Sequence, residues 1–323
     1  MAPLSPHKNV EAFKQFVHNG WHGRMNWLEE TLGSRLNAQS LFPGARSAVL
    51  AAMPYYLPEP SQPAEATPQS TRMLRIARFA WLRDYHKELK HRLHRVADWL
   101  REREHGCITQ TCVDSAPIDE RALAADSGLG WIGKNTLLLH PRFGSYLLLG
   151  AIVTNLDLPP AEPLADRCGS CTACLEACPT GALHPDRPYR MQANLCISYA
   201  TIELRGSPLP DLPQQLAPHL QDWLFGCDIC QDVCPYNRFA APPPADWQAP
   251  LMLRRTRIPA QEILQWTESD RLAALAGTPA VRADLAQLQR NARASLLPGP
   301  LPAMVDSTPV RPFPAEPTPD SGG

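Results

Sequence analysis

Apolar positions along the first 160 residues switch between helical and strand spacing. One helical face is predicted within residues 8–32, where a glycine-containing loop leads to a second short helix. Three stretches rich in apolar and β-branched residues predict strands, at Ser47–Met53, Cys107–Val113 and Phe143–Leu156. Because both kinds of pattern occur in one stretch of chain, we expect an α+β fold.

The longest helical pattern runs from about Arg72 to Glu104, with Leu89, Leu93, Val96 and Leu100 on its apolar stripe. Ten basic residues crowd the other faces: Arg72, Arg75, Arg78, Arg83, Lys87, Lys90, Arg92, Arg95, Arg101 and Arg103. A charge-rich helix face is ordinarily only solvated, but phosphate backbones are bound by such local surpluses of positive charge. Both interpretations, plain solvation and contact with nucleic acid, stay open for this face.

The C-terminal part of the chain also has a helical pattern, at about 259–296, and it follows a proline-rich linker. A second basic region accompanies it, from Arg254 to Arg293. Beyond Leu297 the proline-rich polar composition predicts disorder. We therefore divide the chain into a core at 1–160, a cysteine-rich module at 161–240, a linker and helical tail at 241–296, and a disordered end at 297–323.

Composition and charge describe an ordinary folded protein. The 323 residues are 44% hydrophobic and 20% charged with a formal net charge of −1, so any contact with nucleic acid depends on a local basic patch. The first residues lack an export signal, and the longest apolar run, Tyr146–Val153, is too short to cross a bilayer. We expect a cytoplasmic protein without membrane attachment and, since no large exposed apolar stripe is evident, a monomer.

Cysteine spacing carries the strongest chemical signal. Residues Cys168–Cys178 form a CxxCxxCxxxC pattern followed by Pro179, and Cys227–Cys234 repeats its second half before Pro235. This spacing is that of bacterial two-cluster ferredoxins, in which three thiolates bind one [4Fe–4S] cube and the fourth binds the other. The sequence therefore predicts two [4Fe–4S] clusters.

The second run lacks one cysteine, and Cys196 replaces it if an insertion separates it from Cys227. Because the fourth ligand crosses over, the predicted ligands form two sets: Cys168, Cys171, Cys174 and Cys234 for one cluster, and Cys178, Cys196, Cys227 and Cys230 for the other. Zinc is the main competing interpretation, but a zinc site leaves the triple run and the trailing prolines unexplained. Disulfides fit poorly with a chain that shows no export signal.

A carboxylate is predicted at the exit of a strand. Asp114 follows Cys107–Val113, and Pro117 is placed to open a helix at its first turn. Strand ends are where α/β folds place ligands, whereas an aspartate just before a helix often only caps it. The glycines at 128, 130 and 133 have the spacing of a dinucleotide motif, but they follow a helix and therefore do not predict such a site.

A two-cluster ferredoxin needs only about sixty residues, whereas the cysteine runs of this chain begin at Cys168. We infer that electrons pass from an external donor through the clusters to a second redox centre or a substrate in the N-terminal core. Asp114 is the candidate proton source there.

Six stretches together resemble the epoxyqueuosine reductases, cobalamin-dependent enzymes of tRNA modification. They are VDSAPIDERALAADSGLGWIGKNTLLL, FGSYLLLGAIVTN, DRCGSCTACLEACPTGAL, CISYATIELRG, FGCDICQDVCPYNRFA and the GTPAVR…QRNA tail. The resemblance implies reduction of the epoxide of epoxyqueuosine, at the tRNA wobble position, to the alkene of queuosine. It also implies an α/β cobalamin-binding core similar to that of reductive dehalogenases, packed against a ferredoxin-like two-cluster module, with a short helical C-terminal tail.

The resemblance further implies roles for individual residues. Asp114 matches the family's proton donor, and burial against the corrin would have to raise its pKa. Positions matched to the cobalamin pocket, its periphery and the cluster side of the corrin are Lys134, Asn135, Leu138, Leu149, Ser198, Arg205, Cys227 and Asp228. Since some relatives have a longer helical-repeat C-terminus, we expect the tRNA grip to rely more on the basic Arg72–Arg103 face.

Two competing functions belong to other classes. A small-molecule reductase of the reductive dehalogenase type shares both kinds of cofactor, but such enzymes usually have a twin-arginine export signal. A pure electron-transfer or cobalamin-handling protein needs neither Asp114 nor basic faces. Cys107 and Cys112 have no place in the cluster pattern and are interpreted as buried strand thiols.

Overall fold

The computed structural model describes residues 1–4, 10–59, 72–248 and 255–297. The strands are β1 Ala2–Pro3, β2 Ser47–Pro54, β3 Met73–Ile76, β4 Thr109–Cys112, β5 Trp131–Ile132, β6 Leu138–Leu139, β7 Leu147–Thr154, β8 Trp223–Phe225 and β9 Arg257–Pro259. The α-helices are α1 Val10–His18, α2 Trp27–Glu30, α3 Leu32–Leu36, α4 Tyr85–Arg103, α5 Glu120–Asp126, α6 Ala173–Glu176, α7 Ile229–Asp232, α8 Ala245–Gln248, α9 Ala260–Gln265, α10 Glu268–Leu275 and α11 Leu285–Ser295.

The main sheet contains the three strands predicted from apolar runs, but the strand predicted from Cys107 begins only at Thr109. Cys107 is therefore a partly exposed residue outside the strand, and its interpretation as a buried strand thiol is wrong. Its order is β1–β2–β7–β4, and every neighbouring pair is antiparallel. β2 and β7 pair from Ser47 opposite Thr154 to Pro54 opposite Leu147, and Ile152 at the centre is completely buried. The argument that ligands lie at strand ends belongs to parallel sheets, so this antiparallel sheet does not by itself explain the position of Asp114.

The predicted helix from Arg72 is wrong over its first part. Residues Met73–Ile76 form a strand, β3, in which Leu74 and Ile76 are buried and alternate with partly exposed neighbours, a period of two. Helix α4 begins only at Tyr85, because the Asp84 carboxylate accepts a hydrogen bond from the main-chain N–H of His86 at 3.1 Å and caps the helix. The basic residues before Asp84 therefore do not lie on the helix.

The helix predicted to open at Pro117 also begins later. The Asp119 carboxylate accepts a hydrogen bond from Ala122 N–H at 3.1 Å, so α5 starts at Glu120. The capping role considered for Asp114 thus belongs to Asp119, which leaves the Asp114 side chain available for other contacts.

A second, three-stranded sheet has the order β8–β3–β9. β3 pairs in parallel with β8 and antiparallel with β9. It therefore takes one strand from each of three predicted segments, the core, the cysteine-rich module and the tail, and the division into domains stays a prediction.

The segment with the C-terminal helical pattern contains α9, α10 and α11. Ile263, Leu275 and Leu288 are completely buried and pack with Trp81 and Phe225 in one core, whereas Leu272 is exposed. The predicted disordered end lies outside the described residues except at Leu297. Among the helices of the described segments, none combines the length and the apolar character that crossing a membrane requires.

Candidate functional site

Four of the predicted ligands converge in what we call the first thiol set: Cys168, Cys171, Cys174 and Cys234. They line one pocket, and Cys234 comes from the far run, so the structure brings together residues that the crossing pattern pairs. Burial, together with the neighbouring thiols, raises the pKa of Cys174 to about 12. No group of three or more His, Cys, Asp or Glu within the described residues converges as a single metal ion requires; the four thiols instead line a common space.

The remaining four ligands form the second thiol set: Cys178, Cys196, Cys227 and Cys230. Cys230 lies near both Cys196 and Cys178, and it also lies near Cys174 in the first thiol set. The short helices α6 and α7, which contain one cysteine each, pack together and hold the two sets side by side. Adjacent sets of this kind allow electrons to pass between two centres.

Buried donors without partners test whether the first thiol set suits an iron–sulfur cluster. Asn135 lines the pocket, and its Nδ2 is buried without a hydrogen-bond partner in the described residues. The Trp131 indole N–H is likewise unpartnered there, and it lies beside the Cys168 thiol. Donors aimed at cluster sulfurs are a usual part of such sites, so four thiols with two spare N–H groups fit a [4Fe–4S] cluster.

Asp114 follows Val113, the first residue after β4, and its backbone adopts a left-handed φ of 57°. Its main-chain N–H donates to Glu120 Oε1 at 2.8 Å, a contact that holds this conformation. The side chain is half-exposed. Its Oδ2 lies 2.7 Å from His86 Nε2 and 3.8 Å from Arg282 Nη1, and Tyr85 also donates a hydrogen bond to the carboxylate.

Charges around Asp114 contradict the expected direction of its pKa. The hydrogen bond from His86 outweighs burial and holds the pKa of Asp114 below its ordinary value. Burial tends to lower the pKa of His86, but hydrogen bonds to Asp114 and to Asp84, whose Oδ1 lies 2.6 Å from Nδ1, raise it overall. These two shifts favour a proton on His86, hydrogen-bonded to Asp114, over a proton on an isolated buried carboxylic acid.

Glu120 is the carboxyl group beside Asp114 that burial does affect strongly. Burial raises the pKa of Glu120 to about 7, and the negative charge of Asp114 adds to the shift. Glu120 faces the main chain of Asp114, so its role is to hold the loop and not to meet a substrate.

The residues predicted for the cobalamin pocket are distributed over several places. Lys134 donates hydrogen bonds to the carbonyls of Gly169 at 2.6 Å and Cys171 at 2.9 Å. Lys134 and Asn135 thus line the same pocket as the first thiol set. Leu138 is buried in β6, and Leu149 lies in β7 opposite Ala52.

Three of the residues predicted for cobalamin contact lie close in sequence to cysteines of the second thiol set. Asp228 is 2% exposed and pairs with Arg78 Nη1 at 3.2 Å, and burial raises its pKa to about 6. Ser198 lies directly before the π-helical turn Tyr199–Glu203. Arg205 is half-exposed near Glu203, and both Glu203 and Arg282 feel the charge of Asp114. Of the three predicted residues, only Arg205 lies on the Asp114 side.

The basic residues predicted as one face are divided by their partners. Arg75 and Arg78 pair with Asp232, and Arg92 pairs with Asp246 at 2.6 Å. Within the described residues, Lys87, Lys90 and Arg95 of α4 form no ion pair. Lys90 lines an open groove of about 330 Å³ together with residues on both sides of Asp114: Leu41, Phe42, Gln110, Thr111, Cys112, Val113, Ser115, Ala116 and Pro117.

Several residues of this site were not predicted: Asp84, Tyr85, His86, Glu120 and Arg282. Because the pattern placed residues 84–86 inside a long helix, His86 looked like one more polar surface position. The signal that identifies it is the N-cap at Asp84, since capping fixes the first turn of α4 against the Asp114 loop.

These features define a class, the iron–sulfur redox proteins, and the comparisons with known proteins agree with it. Residues 167–237 match the 4Fe-4S double cluster binding domain, and residues 35–115 match the family model described as Epoxyqueuosine reductase QueG, DUF1730. The epoxyqueuosine reductase of Synechocystis sp. is 41% identical over 248 residues, which cover 75% of this chain and 81% of that protein. That of Pseudomonas aeruginosa is 36% identical over 310 residues, covering 94% and 82%. The chain belongs to the epoxyqueuosine reductase family, and the double-cluster domain supersedes the zinc interpretation.

Solved structures extend the likeness to the fold. A crystal structure of selenomethionine-labelled epoxyqueuosine reductase has a TM-score of 0.78 at 27% identity and covers 91% of this chain and 76% of that one. A complex of the enzyme with an epoxyqueuosine-modified tRNA-Tyr stem loop has a TM-score of 0.75 at 27% identity, with the same coverage. The Bacillus subtilis enzyme, with a TM-score of 0.74 at 26% identity and coverage of 91% and 76%, has a catalytic aspartate loop swung out of its active site.

Proposed function

We propose that this protein reduces the epoxide of epoxyqueuosine in tRNA to the alkene of queuosine. Two electrons and two protons convert the epoxide to the alkene and water. The observation that carries the proposal is the Asp114–His86 pair, at 2.7 Å, in a chain of this family that also holds two thiol sets. A pure electron carrier has no use for such a pair.

The clusters bind to the first and second thiol sets, and cobalamin is retained from the family resemblance. When bound, the clusters supply electrons one at a time, and cobalamin supplies a low-valent metal centre that accepts them. Arg205, on the Asp114 side, is the predicted residue best placed to meet a corrin. Asp228 fits such a contact poorly, because Arg78 and its surroundings cover it. The likeness of the core to reductive dehalogenases is part of the same proposal.

Protonation of the epoxide oxygen falls to the Asp114–His86 pair. An alkoxide is a poor leaving group, so a positioned acid lowers the barrier when the C–O bond opens. His86 Nε2–H donates a hydrogen bond to Asp114 Oδ2, while Asp84 accepts the hydrogen bond from Nδ1 and fixes the ring. The half-exposed Asp114 carboxylate contacts the substrate. The proton passes from His86 through Asp114 to the epoxide oxygen. Arg282 keeps the carboxylate side of the site positive.

The substrate tRNA is proposed to meet the groove beside Asp114 and the exposed side of α4. Lys90 lines this groove, and Lys87 and Arg95 add positive charge that no carboxylate in the described residues neutralises. Such cations bind phosphodiester backbones and position the nucleic acid without reading its sequence. The predicted tRNA face thus contracts from Arg72–Arg103 to part of α4.

The test is an anaerobic assay with the protein carrying clusters and cobalamin, a strong reductant, and tRNA bearing epoxyqueuosine. After digestion of the tRNA, mass spectrometry detects the loss of one oxygen from the modified nucleoside. Formation of queuosine only in the presence of cobalamin supports the whole proposal. An unchanged nucleoside in a protein that holds both clusters and cobalamin refutes the substrate, and small-molecule reductive cleavage then becomes the candidate reaction.

A further inference from the structure

The chain segments beside the two thiol sets differ in exposure. The chain around the second thiol set is buried, as at Ile197 and Asp228, each 2% exposed. Beside Cys168 of the first thiol set, Arg167 and residues 169–170 are exposed. Electrons from outside the molecule therefore meet the first thiol set before the second.

Exposed aromatic rings and arginines lie near the first thiol set. Phe239 is 60% exposed and Phe143 is 38% exposed. Each ring has an arginine over it, Arg238 at 5.4 Å and Arg142 at 5.8 Å. Within the described residues, Arg142, Arg167 and Arg238 form no ion pair. We call these five residues the arginine–aromatic patch.

Direct contacts connect this patch to the first thiol set. Ser145 N–H, in the segment that follows Phe143, donates to Asn237 Oδ1 at 2.6 Å, which holds the two aromatic segments together. Tyr236 lines the thiol pocket, stacks edge-on with Trp131 at 4.9 Å, and donates through its hydroxyl to the carbonyl of Arg167 at 3.1 Å. The patch and the cluster ligands thus share one packed unit.

We propose that the arginine–aromatic patch is the docking surface for a small acidic protein that carries one electron at low potential. The inference rests on the proposed function, which needs two electrons for each epoxide. At each docking the carrier is oxidised by one electron and the cluster of the first thiol set is reduced by one. Two dockings, with two protons from water, complete the conversion of one epoxide to the alkene and water.

Charge and shape argue for this kind of partner. Unpaired arginines attract an acidic protein and speed its association, and aromatic residues and arginine are the residues enriched at protein interfaces. A patch of five residues offers only a small contact, and small contacts are typical of electron-transfer pairs that dissociate after each transfer. A second turnover needs that dissociation.

The experiment uses the full chain with both clusters, without tRNA or cobalamin. Photoreduced flavodoxin serves as the acidic carrier, and stopped-flow absorption follows bleaching of the clusters. We expect the double substitution Arg142→Gln and Arg238→Gln to lower the second-order rate constant about tenfold and to flatten its dependence on salt. Reduction by the small reductant methyl viologen radical should stay unchanged, which shows that the clusters are intact. The matched control, Lys14→Gln with Arg293→Gln, removes the same charge from α1 and α11 and should leave the carrier rate unchanged.

A carrier rate that is equal in the patch variant and the wild type overturns the inference, as does an equal fall in the control variant. Loss of tRNA binding in the patch variant with a normal carrier rate assigns the patch to RNA and also overturns it. The readout contains no epoxide, so failure of the epoxide assay alone refutes the proposed function and leaves this docking surface standing.

Discussion

At Asp114 the backbone takes a left-handed φ of 57°, which aspartate tolerates better than most residues because its short side chain forms local hydrogen bonds. This conformation turns the carboxylate away from the sheet toward His86 and Arg282. We expect Asp114→Asn to keep this shape, since an amide oxygen still accepts hydrogen bonds, but to remove the proton transfer. Turnover should fall by about 10²–10⁴-fold.

The control measurements for Asp114→Asn are iron content and affinity for tRNA, both of which should match the wild type. Mass spectrometry of the digested tRNA gives the turnover. Retained turnover in this variant would contradict the acid role.

The Asp114–His86 pair also predicts a pH dependence. The pKa of His86 is raised and that of Asp114 is lowered, so the proton-bearing pair exists below the folded-state pKa of His86 and is lost as the pH rises through it. We expect the single-turnover rate constant to fall at alkaline pH, with a midpoint above the ordinary value of 6.5. His86→Gln should lower the rate and remove this limb, and an unchanged profile in that variant would exclude the pair as the proton source.

Glu120 makes a separate prediction about stability. Its pKa of about 7 in the folded protein exceeds its ordinary value of 4.5, so folding favours the protonated form. The stabilisation is fully present below pH 4.5 and is lost as the pH rises toward 7. Glu120→Gln retains an acceptor for Asp114 N–H, so its melting temperature should depend less on pH between 4.5 and 7. If the melting temperatures of the two proteins change equally with pH across this range, the raised pKa is contradicted.

The sequence predicts some of these residues and not others. Asp114 was predicted because its motif identifies it, and the cysteines because their spacing is characteristic. Lys134 and Asn135, whose place in a cobalamin pocket stays a prediction, lie beside the first thiol set. Their sequence context shows only a tight turn between two strands, and the partner across that turn comes from 35 residues away. No local pattern records such a contact.

Among the elements, α4 best shows what a pattern predicts and what it leaves out. The stripe of Leu89 and Leu93 correctly predicts a helix that packs on the sheet. The start was wrong because basic residues before Asp84 continue the composition of the helix, whereas β3 is specified by its pairing with two distant strands. β2 and β7 were easier, since long apolar runs specify buried strands by themselves.

The position of α4 gives a prediction for tRNA binding. Its first turn contacts Asp114 and its 19 residues extend about 28 Å from there, so its exposed side can follow a nucleic-acid strand that enters the site. Lys87 and Lys90 lie three residues apart on one side of the helix. We expect the double substitution of both by Gln to weaken tRNA binding about tenfold and to reduce the slope of log affinity against log salt by about one to two.

The matched control is Lys14→Gln, which removes a lysine that Glu11 already neutralises at 2.7 Å. Turnover at saturating tRNA should stay near the wild-type value in both variants, because neither changes the Asp114–His86 pair. A salt slope that does not differ between the Lys87/Lys90 variant and the control would place the tRNA elsewhere.

At the scale of the whole molecule, strands and cysteines both connect distant segments. The sheet β8–β3–β9 joins the core, the cysteine-rich module and the tail. The first thiol set likewise draws Cys234 to Cys168 from the other run, and the second draws Cys178 to Cys230. Spacing alone predicted this exchange, because in the two-cluster ferredoxin pattern the fourth ligand of each run binds the other cluster. The sheet was not predictable, since three short strands leave no periodic signal.

Exchange of the fourth ligands predicts which substitutions act alike. Cys171→Ala and Cys234→Ala should remove the same cluster, although they lie in different runs, and Cys178→Ala and Cys230→Ala should remove the other. Each single variant should retain about four of eight irons, and electron paramagnetic resonance of the reduced protein should give one spectrum for the first pair of variants and a different one for the second. Cys112→Ser, at a buried thiol outside both sets, is the matched control and should retain both signals. If Cys234→Ala instead resembles Cys230→Ala, each run holds its own cluster. The two halves of the module would then be independent, and the direct path from the first thiol set to the second would lose its structural basis.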